Sequence, residues 1–456
     1  MKKKVHFIGI GGIGMSALAR WFLSQNWAVS GSDLMPSEIT KELAKEGARV
    51  KIGHKKGNIK SNIDIVVYNR AIDSRNPELV AARSLGTRTI PYAKLLGMIT
   101  KEYTTIAITG SHGKTTTTAL AGLVLMKGGF DPTVFVGTNL KELGNKNFRL
   151  GGRYLVLEAD DFGGAFLEYS PTIAVITNID KEHLDFYKNF SNLKKAFLKF
   201  LGRTKDGGTF VLNREDKHLR SLKSKVEIIA KKKKIRIVWY SLSDTSIGKI
   251  KKVISIPGEH NLANAEAAYQ IGKILRIPDR LILSGIGSYR GAWRRMEYRG
   301  KFQVSSFKLQ VFDDYAHHPT EVKATLKAFK EKFPKSKLIC VFQPHQAERL
   351  RVLFKDFVRA FDDADVLILL PIYKVPGRDP STSSRRVKAS QFTSKRLFEA
   401  IKHKYPQKSV FYLDNPKNLK RFLSKILYST FYILHSPVVI MMGAGDIVDY
   451  TNYLLE

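Results

Sequence analysis

The sequence predicts an α/β protein of three domains, each built on a mainly parallel sheet, and three observations support this class. Short apolar runs rich in β-branched residues alternate with segments of helical periodicity, which is the pattern of βα units. Several of these runs end in glycine turns or polar residues, as strands do at the ligand-binding edge of a parallel sheet. The length of 456 residues is too great for one hydrophobic core and suits about three domains.

The first predicted domain, residues 1–101, opens with a glycine-rich turn between a strand and a helix. The run VHFIGI enters this turn, the pattern MSALARWFLSQ follows it, and its glycines are Gly9, Gly11, Gly12 and Gly14. Such glycines let backbone N–H groups approach a pyrophosphate at the start of a helix. The next strand ends on Ser32 and Asp33, where a ribose-binding acid would lie. The pattern predicts a Rossmann-like domain that holds NAD or another nucleoside diphosphate, and a tight turn without a ligand is the alternative.

The second predicted domain, residues 102–290, is a central P-loop ATPase-like parallel sheet that begins with a phosphate-binding loop. The run TTIAIT ends in a glycine turn before a predicted helix, and the loop residues are Gly110, Ser111, His112, Gly113, Lys114, Thr115 and Thr116. Backbone N–H groups converge there within reach of the lysine, which is the geometry that binds nucleotide phosphates. The loop is two residues shorter than the full Walker A pattern, so an ordinary strand-turn-helix junction is the alternative.

Acidic residues follow two later strands of this domain. The segments RYLVLEADD and PTIAVITNIDKEHLD carry the polar groups Glu158, Asp160, Asp161, Asp180, His183 and Asp185. Because parallel strands end at the same edge of a sheet, we expect these groups around the crevice that holds Lys114 and Thr115. A threonine hydroxyl, one or two carboxylates and the ATP phosphates would suit Mg²⁺. A single acid at such a position is more often a helix cap, so the prediction rests on the cluster.

Two asparagines lie one helical turn apart in the segment PGEHNLANAEAAYQIGKIL. Asn261 and Asn264 share a helix face at this spacing. One of them would serve as a helix cap, whereas a pair of amides would also read an adenine ring, and the sequence leaves both interpretations open.

The third predicted domain, residues 291–456, follows a predicted linker at 287–291 and is a second Rossmann-like unit. Its strands KLQVFDDYAHH, KLICVFQPH and ADVLILLPIY each end in polar residues. The candidate site residues are Arg295, Asp313, Asp314, His317, His345 and Arg349. Guanidinium groups are the usual stabilisers of a transferring phosphoryl group. The two adjacent histidines of DDYAHH, at positions 317 and 318, could also suggest a zinc site, but no third ligand follows at metal-binding spacing.

Composition bounds the class of protein. The formal net charge is +35, but the lysines are scattered and not interleaved with aromatics, so we expect a solvated surface that favours anionic substrates rather than a nucleic-acid partner. The single cysteine, Cys340, lies in an apolar run and indicates a reducing compartment. Glycines interrupt the apolar start of the chain, so it does not have the pattern of a signal peptide. Lys425, His435 and Pro437 interrupt the apolar stretch at 422–442, so it does not have the pattern of a membrane span. We expect a soluble cytoplasmic protein without membrane insertion, either a monomer or a homodimer.

In this order the motifs resemble the Mur ligase family over nearly the whole chain. They read HFIGIGGIGMSALA, SGSD, GSHGKTTTT, EAD, TNID, PGEHNLANAEAA, RRMEYRG, DDYAHHPTEV, FQPH and GAGD. The resemblance is greatest to the branch that joins L-alanine to UDP-N-acetylmuramate. It implies that ATP phosphorylates the muramate carboxylate, that the amine of the amino acid attacks the acyl phosphate, and that phosphate leaves. It also implies that the first domain binds the UDP of the sugar nucleotide rather than NAD.

The resemblance implies roles for individual residues. Lys114 would hold the β- and γ-phosphates, Thr115 and Glu158 would ligate Mg²⁺, and His183 would ligate a second metal ion. The remaining ATP contacts would come from the phosphate loop, from Asn261 and Asn264 near adenine, and from Arg295, Asp313 and Asp314. The substrates would contact Gly9, Gly11, Gly12, Gly14, Ser32, Asp33, His317, His345 and Arg349.

The chain departs from the family pattern at a few positions. Asp161-Phe162-Gly163 stands where Glu-Ser-Asp is usual, Gln346 stands where an arginine is common, and Ser111 replaces a threonine. Two other functions stay open from the sequence. One is a recycling ligase that joins a tripeptide to the same sugar nucleotide, and the other is a nicotinamide-dependent oxidoreductase.

Overall fold

The computed structural model of the protein describes residues 2–304, 307–373, 392–430 and 437–456. The predicted α/β class is confirmed, because the described residues form three sheets dominated by parallel strands. Internal contacts divide the chain into two compact units. The first comprises Met1–Ser255 and Asn261–Arg290, and the second comprises Ile256–His260 and Gly291–Glu456. The predicted domain boundaries at 101 and 290 stay predictions.

The first sheet occupies the N-terminal part of the first unit. Its strands are β1 (Lys4–Ile8), β2 (Ala28–Asp33), β3 (Arg49–Ile52), β4 (Ile65–Tyr68) and β5 (Arg88–Pro91). The helices are α1 (Ile13–Ser24), α2 (Glu38–Lys45), α3 (Pro77–Ser84) and α4 (Tyr92–Glu102), with a 3-10 turn at Lys56–Asn58. All strands are parallel in the order β3-β2-β1-β4-β5. Val5, Phe7 and Ile8 are fully buried, as expected for a central parallel strand with both faces covered.

The second sheet occupies the rest of the first unit. Its strands are β6 (Thr104–Thr109), β7 (Thr133–Leu140), β8 (Lys146–Arg149), β9 (Tyr154–Glu158), β10 (Ile173–Ile176), β11 (Thr209–Asn213) and β12 (Arg236–Tyr240). The helices are α5 (Lys114–Lys127), α6 (Leu184–Tyr187), α7 (Phe190–Gly202), α8 (Lys217–Arg220), α9 (Lys223–Lys232), α10 (Ser246–Lys251), α11 (Glu259–Ile274) and α12 (Asp279–Ser288), with 3-10 segments at Lys141–Leu143 and Phe162–Glu168.

The strand order of the second sheet determines where a ligand can bind. The order is β12-β11-β10-β6-β9-β7-β8, so β6 lies between β9 and β10. Chain direction across the sheet reverses beside β6, and ligands of open parallel sheets bind beyond strand ends at such a reversal. The residues that follow β6, β9 and β10 therefore meet at one edge.

The third sheet forms the core of the second unit. Its strands are β13 (Glu297–Val304), β14 (Phe307–Asp314), β15 (Leu338–Phe342), β16 (Val366–Leu369), β17 (Ser409–Tyr412) and β18 (Val438–Met442). The helices are α13 (Pro319–Lys332), α14 (Ala347–Val352), α15 (Phe354–Phe357), α16 (Ser394–Lys404), α17 (Leu419–Thr430) and α18 (Ile447–Leu455), with a 3-10 turn at Pro416–Asn418. The order is β13-β14-β18-β15-β16-β17, and β18 lies between β14 and β15.

The structure adds two antiparallel strands that the alternating pattern did not predict. β8 pairs with β7 and β13 pairs with β14 in antiparallel fashion. The predicted linker at 287–291 is also shorter than expected. α12 continues to Ser288 because Ile282 and Ile286 are buried on its inner face, and the chain then turns at Gly291, which has a φ of 99°.

The apolar stretch at 422–442 divides into the end of α17 and strand β18, and residues 431–436 lie outside the described part. Among the helices that the structure describes, none combines the length and the apolar composition required to span a bilayer. The polar segment VPGRDPSTSSRR, which follows the third strand of the predicted C-terminal domain, also lies outside the described residues.

A buried polar network joins the first two sheets within the first unit. Arg20 of α1 is 4% exposed, and its guanidinium donates to Asn147 Oδ1 of β8 at 2.5 Å and to the carboxylates of Glu42 and Glu46. The Asn147 amide in turn donates to the carbonyl oxygen of Ile13, in the first turn of α1, at 2.5 Å. Since α1 begins at the glycine turn, this network fixes that turn relative to the second sheet.

A second buried network lies under the end of β2. The Glu78 carboxylate is fully buried and accepts from Ser32 Oγ at 2.5 Å and Asn58 Nδ2 at 2.5 Å, and it lies 3.3 Å from His6 Nε2. Burial alone would raise the pKa of Glu78, but the hydrogen bonds from His6, Ser32 and Asn58 hold the pKa below its ordinary value of 4.5.

We expect Glu78→Gln to lower the free energy of unfolding at pH 7 by about 2–4 kcal/mol, because a buried network loses its charged acceptor. A carboxyl whose pKa is lower in the folded state stabilises the fold above the unfolded pKa, and this contribution disappears as pH falls through the folded pKa. The difference between wild type and variant should therefore shrink below pH 4.5. Urea unfolding at several pH values measures this difference in the free energy of unfolding.

Glu227→Gln, at a side chain that is 53% exposed, is the control and should change the free energy of unfolding by under about 0.5 kcal/mol. A difference that stays constant down to low pH would contradict the prediction.

Candidate functional site

The predicted phosphate-binding loop lies between β6 and α5, where the sequence places it. Gly110 has a φ of 141° and Gly113 has a φ of 81°, so both adopt backbone conformations that favour glycine. A Cβ atom on Gly110 would lie 2.0 Å from Thr177 Oγ1, and one on Gly113 would lie 2.3 Å from Asn264 Oδ1. Glycine is therefore required at both positions, by the backbone conformation and by the close approach of the Thr177 and Asn264 side chains.

Residues after β10 hold the loop in shape. Asn178 Oδ1 accepts from the backbone N–H of His112 at 2.8 Å, and the Asn178 amide donates to the His112 carbonyl at 3.0 Å. Ser111 Oγ accepts from the backbone N–H of Asp180 at 2.8 Å, and His112 Nε2 lies 3.1 Å from Asp180 Oδ2. This side-chain support leaves the loop ordered around the start of α5.

Lys114 is the first residue of α5, and its ammonium group is bound by the protein. Lys114 Nζ donates to Gly110 O at 2.7 Å, to Ser111 O at 3.3 Å and to Asp161 Oδ1 at 2.8 Å. Burial by itself lowers the pKa of Lys114, but the negative charges of Asp161, Asp160 and Glu158 together raise this pKa above its usual value. The lysine is thus a permanently charged group next to the phosphate loop.

Thr115 and Glu158 meet beside the lysine. Thr115 Oγ1 donates to Glu158 Oε1 at 3.0 Å, and the backbone N–H of Gly137 donates to Glu158 Oε2 at 2.7 Å. Burial raises the pKa of Glu158, against the opposing effect of Lys114 and of these hydrogen bonds. A hydroxyl and a carboxylate at this separation are hard oxygen donors of the kind that Mg²⁺ prefers.

A second group of donors lies at the end of the same edge. One ligand atom each from Asp160, Asp161 and His183 lies within 4.8 Å of the others. The His183 ring also contacts the Phe162 ring edge-on, with centroids 5.0 Å apart. The structure therefore groups the predicted metal ligand His183 with two carboxylates that follow β9.

The paired asparagines lie on α11, on the face turned to the loop. Asn261 and Asn264 are 7% and 6% exposed, and Asn264 Nδ2 lies 3.5 Å from Asn261 Oδ1. Asn264 is in contact with Gly113, so one member of the pair reaches the phosphate loop itself. Their predicted contact with adenine stays a prediction.

The glycine turn of the first sheet lies where the sequence predicts it, between β1 and α1. Gly9 has a φ of 81°, and its N–H donates to the carbonyl of Ser32 at 2.8 Å. The Gly11 N–H donates to Asp33 Oδ2 at 2.8 Å, so Asp33 organises the turn as well as lying at the end of β2. No side chain caps the start of α1 at Gly12, which leaves this helix N-terminus suited to an anion.

Gly14 and Ser32 are in different surroundings from the other residues of this turn. A Cβ atom on Gly14 would lie 2.8 Å from the hydroxyl oxygen of Tyr92, so this glycine makes room for a side chain of α4. Ser32 is fully buried, and its hydroxyl belongs to the Glu78 network described above.

In the second unit, the two aspartates at the end of β14 are buried in hydrogen-bond networks. Asp313 is 1% exposed, pairs with Arg299 and accepts from Thr451 Oγ1 at 2.5 Å. Burial raises the pKa of Asp313 to about 6, against the effect of Thr451 and Arg299. Asp314 accepts from the backbone N–H groups of Met296 and Ala316, each at 2.9 Å. Asp313 thus joins β13 to α18, and Asp314 supports the segment that precedes β13.

The neighbouring arginines of this segment differ in environment. Arg294 is 5% exposed and donates to the carbonyls of Gly443 and Gly445, at 2.5 and 3.0 Å, in the turn after β18. Arg295, the predicted site residue, has its guanidinium 5.1 Å from the centre of the Tyr315 ring. Arg294 therefore ties the GAGD turn to the start of the domain, a role that the sequence did not predict.

The predicted substrate residues of the second unit form one cluster. The rings of His317 and His345 lie 5.6 Å apart in an edge-on contact, and the Tyr373 ring stacks on His345 at 5.6 Å. His345 Nδ1 lies 3.0 Å from Arg349 Nη1. Gln346, at the start of α14, has a φ of 69°, which a non-glycine residue rarely adopts. The structure thus brings together His317 of the motif DDYAHH, His345 of the motif FQPH, and Arg349, which follows FQPH by four residues.

The predicted set omits several residues that shape the site. Asn178 holds the loop, and its position directly after a buried strand was a usable signal. Asp161 pairs with Lys114, whereas the prediction treated it as one of several acids. No local signal in the sequence could have placed Tyr92 against Gly14, because the contact joins distant segments.

Three family models match the chain in succession. They are described as Mur ligase family, catalytic domain, over residues 4–104, Mur ligase middle domain, over residues 108–272, and Mur ligase, glutamate ligase domain, over residues 294–434. Together they span most of the chain, in the order of the three sheets.

Full-length relatives give the same result. The chain is 36% identical to a UDP-N-acetylmuramate–L-alanine ligase of Sulfurihydrogenibium sp., an alignment that covers 100% of the chain and 97% of the relative. It is 38% identical to a protein of the same name from Geobacter sp., over 98% of the chain and 95% of the relative. Among solved structures, a UDP-N-acetylmuramate–alanine ligase from Thermotoga maritima superimposes with a TM-score of 0.77 at 26% identity, covering 99% of the chain and 98% of that structure.

Proposed function

Since the chain belongs to the Mur ligase family, we propose that it joins L-alanine to the carboxylate of UDP-N-acetylmuramate in a reaction driven by ATP. The protein is an ATP-dependent, amide-forming ligase that releases ADP and phosphate. The product carries the first amino acid of the peptide of a peptidoglycan precursor. The observation that carries this conclusion is the ordered phosphate loop, where Lys114, Thr115 and Glu158 meet at the edge of the second sheet in a chain that its ligase relatives match from end to end.

The chemistry requires fixed positive charge beside the phosphates. The γ-phosphoryl group of ATP passes to the muramate carboxylate, the amine of alanine attacks the resulting acyl phosphate, and phosphate leaves. Negative charge is spread over the phosphoryl oxygens in the transition state, so preorganised donors stabilise it most. Lys114 and the backbone N–H groups at the start of α5 supply such donors.

The donor sets near the loop fit divalent cations. Thr115 and Glu158 offer a hydroxyl and a carboxylate, and Asp160, Asp161 and His183 offer two carboxylates and an imidazole. We propose that Thr115 and Glu158 hold Mg²⁺ and that His183 holds a second ion together with the neighbouring aspartates. A bound cation would neutralise charge on the phosphates.

The three sheets suggest a division of roles. We propose that residues 1–101 bind the sugar nucleotide through the glycine turn and Asp33, that residues 102–290 bind ATP, and that residues 291–456 bind the amino acid through His317, His345 and Arg349. Arg295, Asp313 and Asp314 are proposed to act on the ATP side, as the family resemblance implies. We also propose that the reaction takes place in the cytoplasm, where ATP is available. The oligomeric state, either a monomer or a homodimer, stays a prediction.

A phosphate-release assay tests this function. We expect ATP- and Mg²⁺-dependent release of phosphate only when UDP-N-acetylmuramate and L-alanine are both present. Serine and glycine serve as amino-acid comparisons, and the tripeptide L-Ala-D-Glu-diaminopimelate tests the recycling alternative. Absence of turnover with all three amino acids would refute the function, and faster turnover with the tripeptide would favour the recycling ligase. Saturable quenching of NADH fluorescence by the protein would instead support the oxidoreductase.

A further inference from the structure

All hydrogen-bond donors of the phosphate-loop lysine are occupied by the protein. An ammonium group has three N–H bonds. In this structure Lys114 Nζ has three acceptors within hydrogen-bond distance, namely Gly110 O at 2.7 Å, Ser111 O at 3.3 Å and Asp161 Oδ1 at 2.8 Å. A phosphate oxygen can therefore bind this lysine only if one of the three acceptors gives way.

Asp161 is the acceptor that conflicts with a phosphate. The two carbonyl oxygens are neutral and belong to the loop, whereas the Asp161 carboxylate is negative and would repel a phosphate placed at the same ammonium group. The Asp161 side chain is 0% exposed, so its charge is not screened by water. Its second oxygen, Oδ2, is buried and has no hydrogen-bond partner in the structure. A buried carboxylate oxygen without a partner is costly unless a further ligand satisfies it.

The backbone around Asp161 is held so that the carboxylate stays at the lysine. The carbonyl of Asp161 accepts from the Tyr187 hydroxyl at 2.5 Å. Gly163 and Gly164 follow with φ values of 64° and 75°, and the Gly163 carbonyl accepts from Arg70, of the segment after β4, at 2.7 Å. The pairing with Lys114 is thus built into the turn after β9 rather than made by a mobile side chain.

Asp160 and His183 lie close enough to Asp161 for a divalent cation bound by all three to balance the charge of Asp161. Ligand atoms of Asp160, Asp161 and His183 lie within 4.8 Å of one another, so a divalent cation between them would satisfy Asp161 Oδ2. Such a cation would replace Lys114 as the positive partner of Asp161 and would leave the ammonium group to a phosphate.

We propose that Asp161 is a positioning residue that competes with nucleotide phosphate for Lys114, and that it thereby makes ATP binding depend on a divalent cation. This inference rests on the proposed role of the loop in ATP binding. It predicts that ATP binds weakly when no divalent cation is present, because the phosphate must then displace a buried carboxylate whose charge has no other partner.

The test is a calorimetric titration of the full chain with ATP, once in EDTA and once in Mg²⁺, without sugar nucleotide or amino acid. Asp161→Asn keeps the shape of the side chain and removes the charge. We expect this variant to bind metal-free ATP about tenfold or more tightly than wild type, as for loss of one charged competitor. The gain in affinity on adding Mg²⁺ should be smaller in the variant by about the same factor. Equal or weaker binding of metal-free ATP by the variant would overturn the proposal.

Two further variants separate charge from structure. Asp161→Glu retains the charge and should keep the weak metal-free binding of wild type, so an Asp161→Glu protein that binds metal-free ATP as tightly as Asp161→Asn would also overturn the proposal. Asp206→Asn removes the aspartate of another Asp–Lys pair and should leave both affinities unchanged. The Asp206 side chain is 80% exposed and lies 3.1 Å from Lys233 Nζ. Thermal unfolding of each protein checks that it is folded, and Asp161→Ser replaces Asp161→Asn if the latter does not fold.

The experiment is independent of the ligation reaction. If the chain fails to join alanine to the sugar nucleotide but the two affinities differ as expected, the proposed substrates are wrong and the competition for Lys114 stands. If ligation proceeds and metal-free ATP binds wild type and Asp161→Asn equally, only the competition is wrong.

Discussion

Replacing Lys114 by methionine is expected to lower kcat/KM for ATP by about 10²-fold or more, because the substitution removes a preorganised positive charge beside the transferring phosphoryl group. Methionine retains much of the length of the stem and has no donor. The loss should appear mainly in kcat, since the interaction strengthens as charge develops on the phosphoryl oxygens. The phosphate-release assay with saturating sugar nucleotide and alanine measures it.

The control for this change lies at the other end of the same helix. Lys127 is the last residue of α5, and Lys127→Met alters the charge of the protein by the same amount without touching the loop. Its activity should stay within about twofold of wild type, because single surface charges act weakly at a distance in physiological salt. Near-wild-type turnover of Lys114→Met would show that the loop is not the ATP site.

Replacing Glu158 by glutamine should have the second large effect. The carboxylate accepts from Thr115 at 3.0 Å and from Gly137 N–H at 2.7 Å, so it is held at a fixed position beside the phosphate loop. A neutral amide keeps the size but loses the charge that a cation requires. We expect kcat to fall by about 10²-fold and the Mg²⁺ concentration for half-maximal activity to rise by about tenfold or more.

A magnesium titration of the phosphate-release assay measures both quantities. Glu168→Gln, at an exposed carboxylate ten positions further along the chain, is the control and should leave the magnesium dependence unchanged. A Glu158→Gln enzyme with the wild-type magnesium midpoint and a reduced kcat would place the carboxylate outside the cation site.

The sequence allowed the architecture and the location of the main loops to be predicted, because these depend on local chemistry. β-branched apolar runs form buried parallel strands wherever helices cover them. Glycines such as Gly110 and Gly113 are needed at positions whose φ is positive, and this requirement is visible in one short segment. The same holds for the carboxylates after β9, since parallel strands end at a common edge.

Short antiparallel additions were not predicted, because they depend on partners elsewhere in the chain. β8 and β13 are polar or mixed in composition, and only their pairing with β7 and β14 makes them strands. The start of the predicted linker at 287–291 shifted for a related reason, since burial of Ile286 against the core extended α12 to Ser288.

What the sequence by itself determined is which chemical groups follow which strands: a glycine turn after β1, a Lys-Thr pair after the loop, and acids after β9. What only the tertiary structure decided is how these groups pair. Asp161 rather than Asp160 binds Lys114, and Asn147 joins α1 to the second sheet. Arg294, the neighbour of the predicted site residue Arg295, is buried and binds the carbonyl of Gly443. The physical reason is that each pair joins segments far apart in the chain. Buried charges and amides must find partners at hydrogen-bond distance, and only the packed fold fixes those distances.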